Sequence, residues 1–189
     1  MADQEIRIED WEIDPETQAE CDASSANIVK LKPGPNGEEP PQDVALDHDW
    51  MHKQQEEFEV TSVKVGLVTT KRDGTPVQNP YLEAAVRFKM DTGGQFTKFY
   101  RFNQDRKSWN YFTKKDKGYI DALSKAAGIE RPANLVLQLQ SLDGVRAQGT
   151  LFQGCEERMK KDASSGKWTI PTGEYRQIQE FRSFRPIGG

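Results

Sequence analysis

Short runs in which apolar and polar residues alternate dominate the chain from Phe58 onward. Residues 57–71 form the first run, residues 81–90 the second and residues 96–102 the third. A period of two places successive side chains on opposite faces, so each run predicts a strand with one buried face. Gly66 inside the first run predicts a bulge or sharp bend. Turn residues at 72–80 and 91–94 join the runs into a meander.

The period becomes helical in residues 114–129. Asp116 is a plausible N-cap of this helix, and Gly128 a C-terminal stop. Residues 134–153 then predict a strand, an Asp-Gly turn and a second strand, or one long bent strand. Residues 160–168 form a hydrophilic loop tip, and residues 174–186 alternate again as the last strand.

The order strand, strand, strand, helix, strand, strand predicts a mainly β protein. It is the order of the five-stranded OB barrel, in which a helix lies between the third and fourth strands. We expect residues 51–189 to form this OB-like domain. Residues 30–43 contain four prolines and two glycines, which interrupt regular structure.

Residues 1–50 therefore predict a largely disordered leader and linker, acidic and rich in proline. Within the leader, four scattered apolar residues offer two alternatives. They can dock on the domain as a short strand, or bind another protein as a linear motif. These residues are Ile6, Ile8, Trp11 and Ile13.

Charge divides at the same boundary. The whole chain has a formal net charge of -4, but residues 1–50 hold 14 acidic and 3 basic residues, for 3 - 14 = -11. The remainder has 23 basic and 16 acidic residues, for 23 - 16 = +7. An acidic leader thus precedes a basic domain, and the leader is expected to compete in cis for the domain's basic surface.

Several classes of protein are excluded by the sequence. It contains neither an apolar stretch of about 18 residues nor a signal peptide, so we expect no membrane partner and a cytoplasmic protein. Cys21 and Cys155 cannot form an all-cysteine zinc site and are expected to be free thiols.

Catalytic motifs are also missing. There is no phosphate-binding glycine loop, nucleophile elbow or zinc-protease motif. His48 and His52 stand four residues apart beside two aspartates, which on a helix could present a metal site, but exposed linker histidines are the favoured interpretation. We therefore expect no enzyme, no cofactor and no bound metal.

Aromatic residues interleaved with basic ones carry the strongest functional signal. Of the 18 aromatic residues, 16 lie in the basic part of the chain. Single-stranded nucleic acid needs this combination, since cations neutralise phosphates and flat rings stack on unpaired bases. The alternative is that these aromatic residues form the core of a small barrel, where alternation alone places a cation beside each ring.

Different roles are expected along the candidate site. The basic residues of the second and third strands would follow the phosphate backbone, while Trp109, Tyr111 and Trp168 would stack on bases. The cluster around Trp109 is alternatively a cap over the open end of the barrel. The candidate contacts are Lys71, Arg72, Arg87, Lys89, Lys98, Tyr100, Arg101, Arg106, Lys107, Trp109, Tyr111, Lys167 and Trp168.

Several segments together resemble a known family. Six segments look like those of bacteriophage-encoded single-stranded DNA-binding proteins of the OB type. They are the opening strand FEVTSVKVGLVTTKRDGTP, the strand YLEAAVRFKM, the run FTKFYRFN, the helix end KAAGI, LDGVRAQG and the ending YRQIQEFRSFRP. The resemblance covers about residues 57–187. It implies single-stranded DNA binding in phage DNA replication or recombination.

One departure from that family concerns the acidic segment, which many members carry at the C-terminus and this chain at the N-terminus. The resemblance implies replication or recombination proteins as partners of this leader. A protein interaction or inhibitor module acting through the leader is the alternative function. Formation of a homo-oligomer and the choice between DNA and RNA stay open.

Overall fold

A computed structural model describes residues 6–25, 50–103 and 109–188. The fold comprises two compact units. The first includes the described parts of Met1–Ile28, Glu56–Gly149 and Ser183–Gly189, and the second those of Val29–Gln55 and Thr150–Arg182. The described elements are a 3-10 helix (Ile8–Trp11), α1 (Pro15–Ser25), β1 (Trp50–Thr70), β2 (Pro76–Met90), β3 (Gln95–Asn103), α2 (Tyr111–Ala126), α3 (Leu135–Gln140), β4 (Arg146–Lys161) and β5 (Trp168–Arg185).

The five strands form one antiparallel sheet in the order β3-β2-β1-β4-β5. The mainly β class and a helix between β3 and β4 are confirmed. Closure into a barrel is not observed. Within the described residues the sheet ends at β3 on one side and at β5 on the other, so it is open.

The meander β1-β2-β3 provides much of the core of the first unit. Alternate residues of β2, from Leu82 to Met90, are buried against Phe58 and Val60 of β1 and Phe102 of β3. Phe58 meets Phe88 edge to face, with ring centroids 5.3 Å apart. The bulge predicted at Gly66 is wrong, because Gly66 pairs regularly with Glu83. The pairing of β1 with β2 shifts instead between residues 60 and 62 and between 68 and 70.

Two helices follow β3. The side chain of Asn110 caps α2 by accepting a hydrogen bond from the Thr113 N–H at 3.0 Å. α2 packs against β3, and the Asp116 carboxylate accepts the Arg101 backbone N–H at 2.7 Å. Asp116 is therefore not the N-cap predicted for this helix. Its carboxylate occupies the backbone N–H of Arg101 on the edge strand β3, and this donor would otherwise be available to another strand.

The predicted strand at residue 134 is wrong. Residues Leu135–Gln140 form α3, capped by Asn134, whose Oδ1 accepts from the Leu137 N–H at 3.1 Å. Four of its six residues are buried. A short run of this kind does not distinguish a strand from a buried helix, because Leu and Gln alternate in its second half as they would in a strand.

Residues 6–25 of the leader are ordered, which differs from the expectation of disorder over residues 1–50. The Trp11 and Ile13 side chains are buried in the first unit. Ile13 N–H donates to the Ala133 carbonyl at 2.7 Å, and Glu12 bridges Asn134 in antiparallel fashion. Two of the four apolar residues of the leader, Trp11 and Ile13, therefore dock on this chain, as in one of the two predicted alternatives. Residues 1–5 and 26–49, which include the proline-rich linker and His48, lie outside the described residues.

α1 packs against α2 through a polar network centred on Asp121. The Asp121 carboxylate accepts hydrogen bonds from Gln18 and Gln138, each at 2.8 Å, and pairs with the buried Lys117. Burial lowers the pKa of the Lys117 ammonium, and the Asp121 charge opposes that shift. Glu20 and Asp22 of α1 pair with Lys114 and Arg131, at 3.3 and 3.6 Å respectively.

The second unit contains most of the β4-β5 hairpin. Leu151, Cys155, Ile178 and Phe181 are buried. Arg182 pairs with Glu180, and its guanidinium carbon lies 5.1 Å from the centroid of the Phe152 ring. Cys155 here and Cys21 in the first unit are free thiols, as predicted.

Candidate nucleic-acid interface

The outer face of the meander lies opposite the core, and its side chains stand in four rows across β1, β2 and β3. The central row joins Lys64, Ala85 and Phe99. Because Ala85 has only a methyl group, the neighbouring Phe99 ring is 50% exposed. Strands spaced 4.7–4.9 Å apart place the Lys64 and Phe99 backbones about 10 Å from each other. The other rows are Glu59-Lys89-Gln95, Ser62-Arg87-Thr97 and Gly66-Glu83-Arg101.

Cations outnumber carboxylates on this outer face. The four rows contain four cations and two carboxylates, Glu59 and Glu83. Glu83 is committed to Arg101, with Oε2 and Nε 2.9 Å apart, and the Arg101 guanidinium also lies over the Tyr81 ring at 5.6 Å. Arg87 and Lys89 are exposed and have no ion pair among the described residues. These two cations are therefore available to an anionic ligand.

Two predicted contact residues lie on the opposite side of β3. Lys98 pairs with Val86 and Tyr100 with Ala84, both on the buried face of β2. Tyr100 is 1% exposed and belongs to the core. The prediction that Lys98 shares a face with Arg87, Lys89 and Arg101 is wrong, because alternation along β3 places it one residue out of phase.

The turn between β1 and β2 carries Lys71 and Arg72, both exposed. Gly74 adopts a positive φ of 82°, and its N–H donates to the Lys71 carbonyl at 3.0 Å. The Asp73 carboxylate accepts from the Thr75 side chain and backbone, which lowers the pKa of Asp73. The turn is thus held by its own hydrogen bonds, with both cations on its surface.

The aromatic cluster after β3 differs from the prediction. Trp109 is buried, and its indole Nε1 has no hydrogen-bond partner among the described residues. Its burial leaves little of the indole ring open to a base. Arg106 and Lys107 lie outside the described residues, as does the side chain of Tyr111.

The hairpin tip, residues 158–170, is the second candidate surface and belongs to the second unit. Trp168 is 59% exposed, and Met159 and Ile170 of the same tip are also exposed. The Asp162 carboxylate organises the turn by accepting from Ser164 and Ser165, which lowers the pKa of Asp162. The exposed cations of this tip are Arg158, Lys160, Lys161 and Lys167.

Phe99 and Lys64 are the residues that sequence reasoning missed. The signal for Phe99 is its phase along β3. Thr97, Phe99 and Arg101 are exposed and alternate with residues that are buried or half-buried, which are Phe96, Lys98, Tyr100 and Phe102. Lys64 needs the register of β1 with β2, and the shift near Thr61 hides that register from the sequence.

No group of three histidine, cysteine or acidic residues suited to a metal ion occurs within the part of the chain that the structure describes. His48 and the side chain of His52 lie outside it. No helix in the described ranges 6–25, 50–103 and 109–188 combines the length and apolar content needed to cross a bilayer. The chain matches no protein-family model, and a search of curated proteins finds no match either.

Proposed function

We propose that this protein binds single-stranded DNA with little sequence preference, as a phage-encoded OB-type protein of DNA replication or recombination. The observation that carries the proposal is the outer face, where a half-exposed Phe99 shares a row with Lys64 and neighbours the row of Arg87. A flat ring among cations suits a strand whose bases are unpaired and whose phosphates are regularly spaced.

The fold supports the OB assignment. An OB-fold is a partly open five-stranded Greek-key barrel that binds oligonucleotides on strands 2 and 3 and on the loops 1-2 and 4-5. In this chain those places are the outer face of β2 and β3, the turn with Lys71 and Arg72, and the hairpin tip with Lys167 and Trp168. The open strand order and the helices between β3 and β4 agree with that architecture.

The chemistry divides between the two kinds of side chain. Arg87 and Lys89 neutralise phosphates and release counterions, so affinity falls as salt rises. Phe99 stacks on a base, which contributes about 1–3 kcal/mol. Neither interaction reads the hydrogen-bonding edge of a base, so sequence preference is weak. A duplex offers phosphates but hides its base faces, and it binds more weakly.

Equilibrium binding of labelled oligonucleotides across salt concentrations tests this proposal. We expect oligo-dT to bind more tightly than a duplex of equal length, and the logarithm of its binding constant to fall linearly with the logarithm of salt concentration. An RNA oligonucleotide in the same series measures the preference for sugar. Equal affinity for single strands and duplex, or no binding at low salt, would contradict the proposal.

The alternative function, a protein interaction or inhibitor module acting through the leader, is less well supported by residues 6–25. A linear motif needs exposed apolar anchors, whereas Trp11 and Ile13 are buried in this chain. Capture of a partner by full-length protein whose outer face is disrupted, with loss of capture when the leader is removed, would favour that alternative.

A further inference from the structure

Ile8 and Leu137 form an exposed apolar pair in the first unit. The Asn134 side chain holds them together, since its Nδ2 donates to the Ile8 carbonyl and its Oδ1 accepts from the Leu137 N–H at 3.1 Å. Ile8 is 39% exposed and Leu137 45% exposed, although both belong to ordered helices. We refer to Ile8 and Leu137 as the apolar patch.

Carboxylates border the apolar patch. Glu9, Asp10 and Glu12 are exposed in the same segment as Ile8, against the single cation Arg7. The patch therefore suits an apolar side chain that has a cationic side chain next to it.

The end of β5 and the turn after it have this complementary chemistry. Arg185, Pro186 and Ile187 are exposed, and Ile187 is 42% exposed. Phe184 anchors the segment to the core, with its ring centroid 5.9 Å from that of Phe58. Ile187 is thus exposed two positions from the Arg185 cation, in a segment that Phe184 fixes to the core. We refer to residues 185–187 as the basic knob.

We propose that the basic knob of one copy docks on the apolar patch of a second copy. Ile187 covers Ile8 and Leu137, and Arg185 pairs with the exposed carboxylate of Glu12. One chain carries both complementary surfaces, which argues for a second copy rather than an unrelated protein. The two surfaces differ, so the contact is heterologous, and repetition extends it into an open chain unless the rotation closes a ring. The proposal does not rest on the proposed DNA binding.

Sedimentation of the full-length protein over a range of concentrations tests it, without nucleic acid. We expect the average mass to rise with concentration and to pass that of a dimer. Leu137→Asp and Ile187→Asp should each remain monomeric at the highest concentration. An acidic residue in the first turn of α3 is compatible with the helix dipole, so Leu137→Asp should fold, which its circular dichroism spectrum checks.

Mixing the two variants gives the sharpest result. Leu137→Asp keeps its knob and Ile187→Asp keeps its patch, so a mixture should form dimers that cannot grow further. A wild-type protein that stays monomeric at every concentration would overturn the proposal. So would association that stops at a symmetric dimer, or association that both variants retain.

Charge reversal tests the ion pair between Arg185 of the basic knob and the acidic residue beside the apolar patch. Glu12→Lys should weaken association, and mixing this variant with Arg185→Glu should restore binding between the two proteins. Glu130→Lys is the control, because Glu130 is exposed outside the patch, and it should associate as the wild type does. Equal weakening by Glu130→Lys, or no restoration in the mixture, would overturn the pairing.

Discussion

Phe99 and Tyr100 are neighbours in β3, yet the sheet places one ring half in solvent and the other in the core. Register decides between them, because Tyr100 pairs with Ala84 on the buried face and Phe99 with Ala85 on the outer face. Their sequence neighbours are similar, which is why basic-aromatic patterning selected the wrong ring. A residue's side of the sheet, rather than its type, determines whether it can stack on a base.

Replacement of Phe99 tests stacking at the scale of one side chain. Phe99→Ala should weaken oligo-dT binding by about 5- to 150-fold, since a stacked base contributes about 1–3 kcal/mol. The salt dependence should not change, because no charge is removed. Fluorescence anisotropy of a labelled oligonucleotide measures both quantities.

Phe112→Ala is the matched control for Phe99→Ala, because Phe112 is an exposed aromatic residue on α2. It should bind with wild-type affinity. Equal losses for the two variants, or no loss for Phe99→Ala, would mean that the outer face does not stack on bases.

The Lys117-Asp121 pair makes a prediction about stability. Asp121→Ala leaves the buried Lys117 ammonium without its counter-ion and should cost about 3–5 kcal/mol, whereas Lys117→Met should cost less because it removes the buried charge. Urea unfolding of the two variants gives the comparison. If Lys117→Met were the more destabilising, the ammonium would stabilise the fold by more than its burial costs.

At the scale of elements, the sequence predicted β3 and α2 within about three residues, because each has one clear period. β1, β2 and β5 end close to where they were predicted to end, but they begin earlier, at Trp50, Pro76 and Trp168 instead of residues 57, 81 and 174. α3 and α1 were missed for different reasons. Leu and Gln alternate in the second half of α3 as they would in a strand, and only Asn134 marks the start of a helix. The start of α1 was marked by Asp14 and Pro15, since Asp14 accepts from Thr17 and proline suits the first helical position. The acidic composition of the leader concealed that signal.

The leader segment 6–25 makes a prediction of its own, through Trp11. Trp11→Ala should destabilise the first unit by about 3–5 kcal/mol, as for other buried aromatic residues. It should also admit reagents to Cys21, whose thiol is fully buried and whose pKa burial raises to about 11. Thiol labelling at pH 8 measures this access.

Wild-type Cys21 should resist labelling for two reasons. It is inaccessible, and at pH 8 only about one thiol in a thousand would be ionised at that pKa. Rapid labelling of the wild type, or labelling that rises with salt, would show that residues 6–25 detach readily. The leader would then be a displaceable competitor rather than part of the fold.

For the molecule as a whole, the structure shows which cations the acidic leader pairs with and which it leaves exposed. Glu20 and Asp22 of the leader pair with Lys114 and Arg131 in the region of α1 and α2, whereas Arg87 and Lys89 stand on the outer face of the sheet. Among the described leader residues, no ion pair reaches that outer face. The outer face that we propose for nucleic acid thus remains open despite the net charge of -4.

The salt dependence of oligo-dT binding by Arg87→Ala/Lys89→Ala tests whether the outer face contacts the phosphates of a single strand. Each phosphate contact contributes about 0.7 to the slope of log binding constant against log salt for a single strand, so loss of two cations should reduce the slope by about 1.4. Lys125→Ala, which removes an exposed cation on α2, should keep the wild-type slope. We expect a shallower slope only for the outer-face variant. An unchanged slope in that variant would show that Arg87 and Lys89 do not contact phosphates.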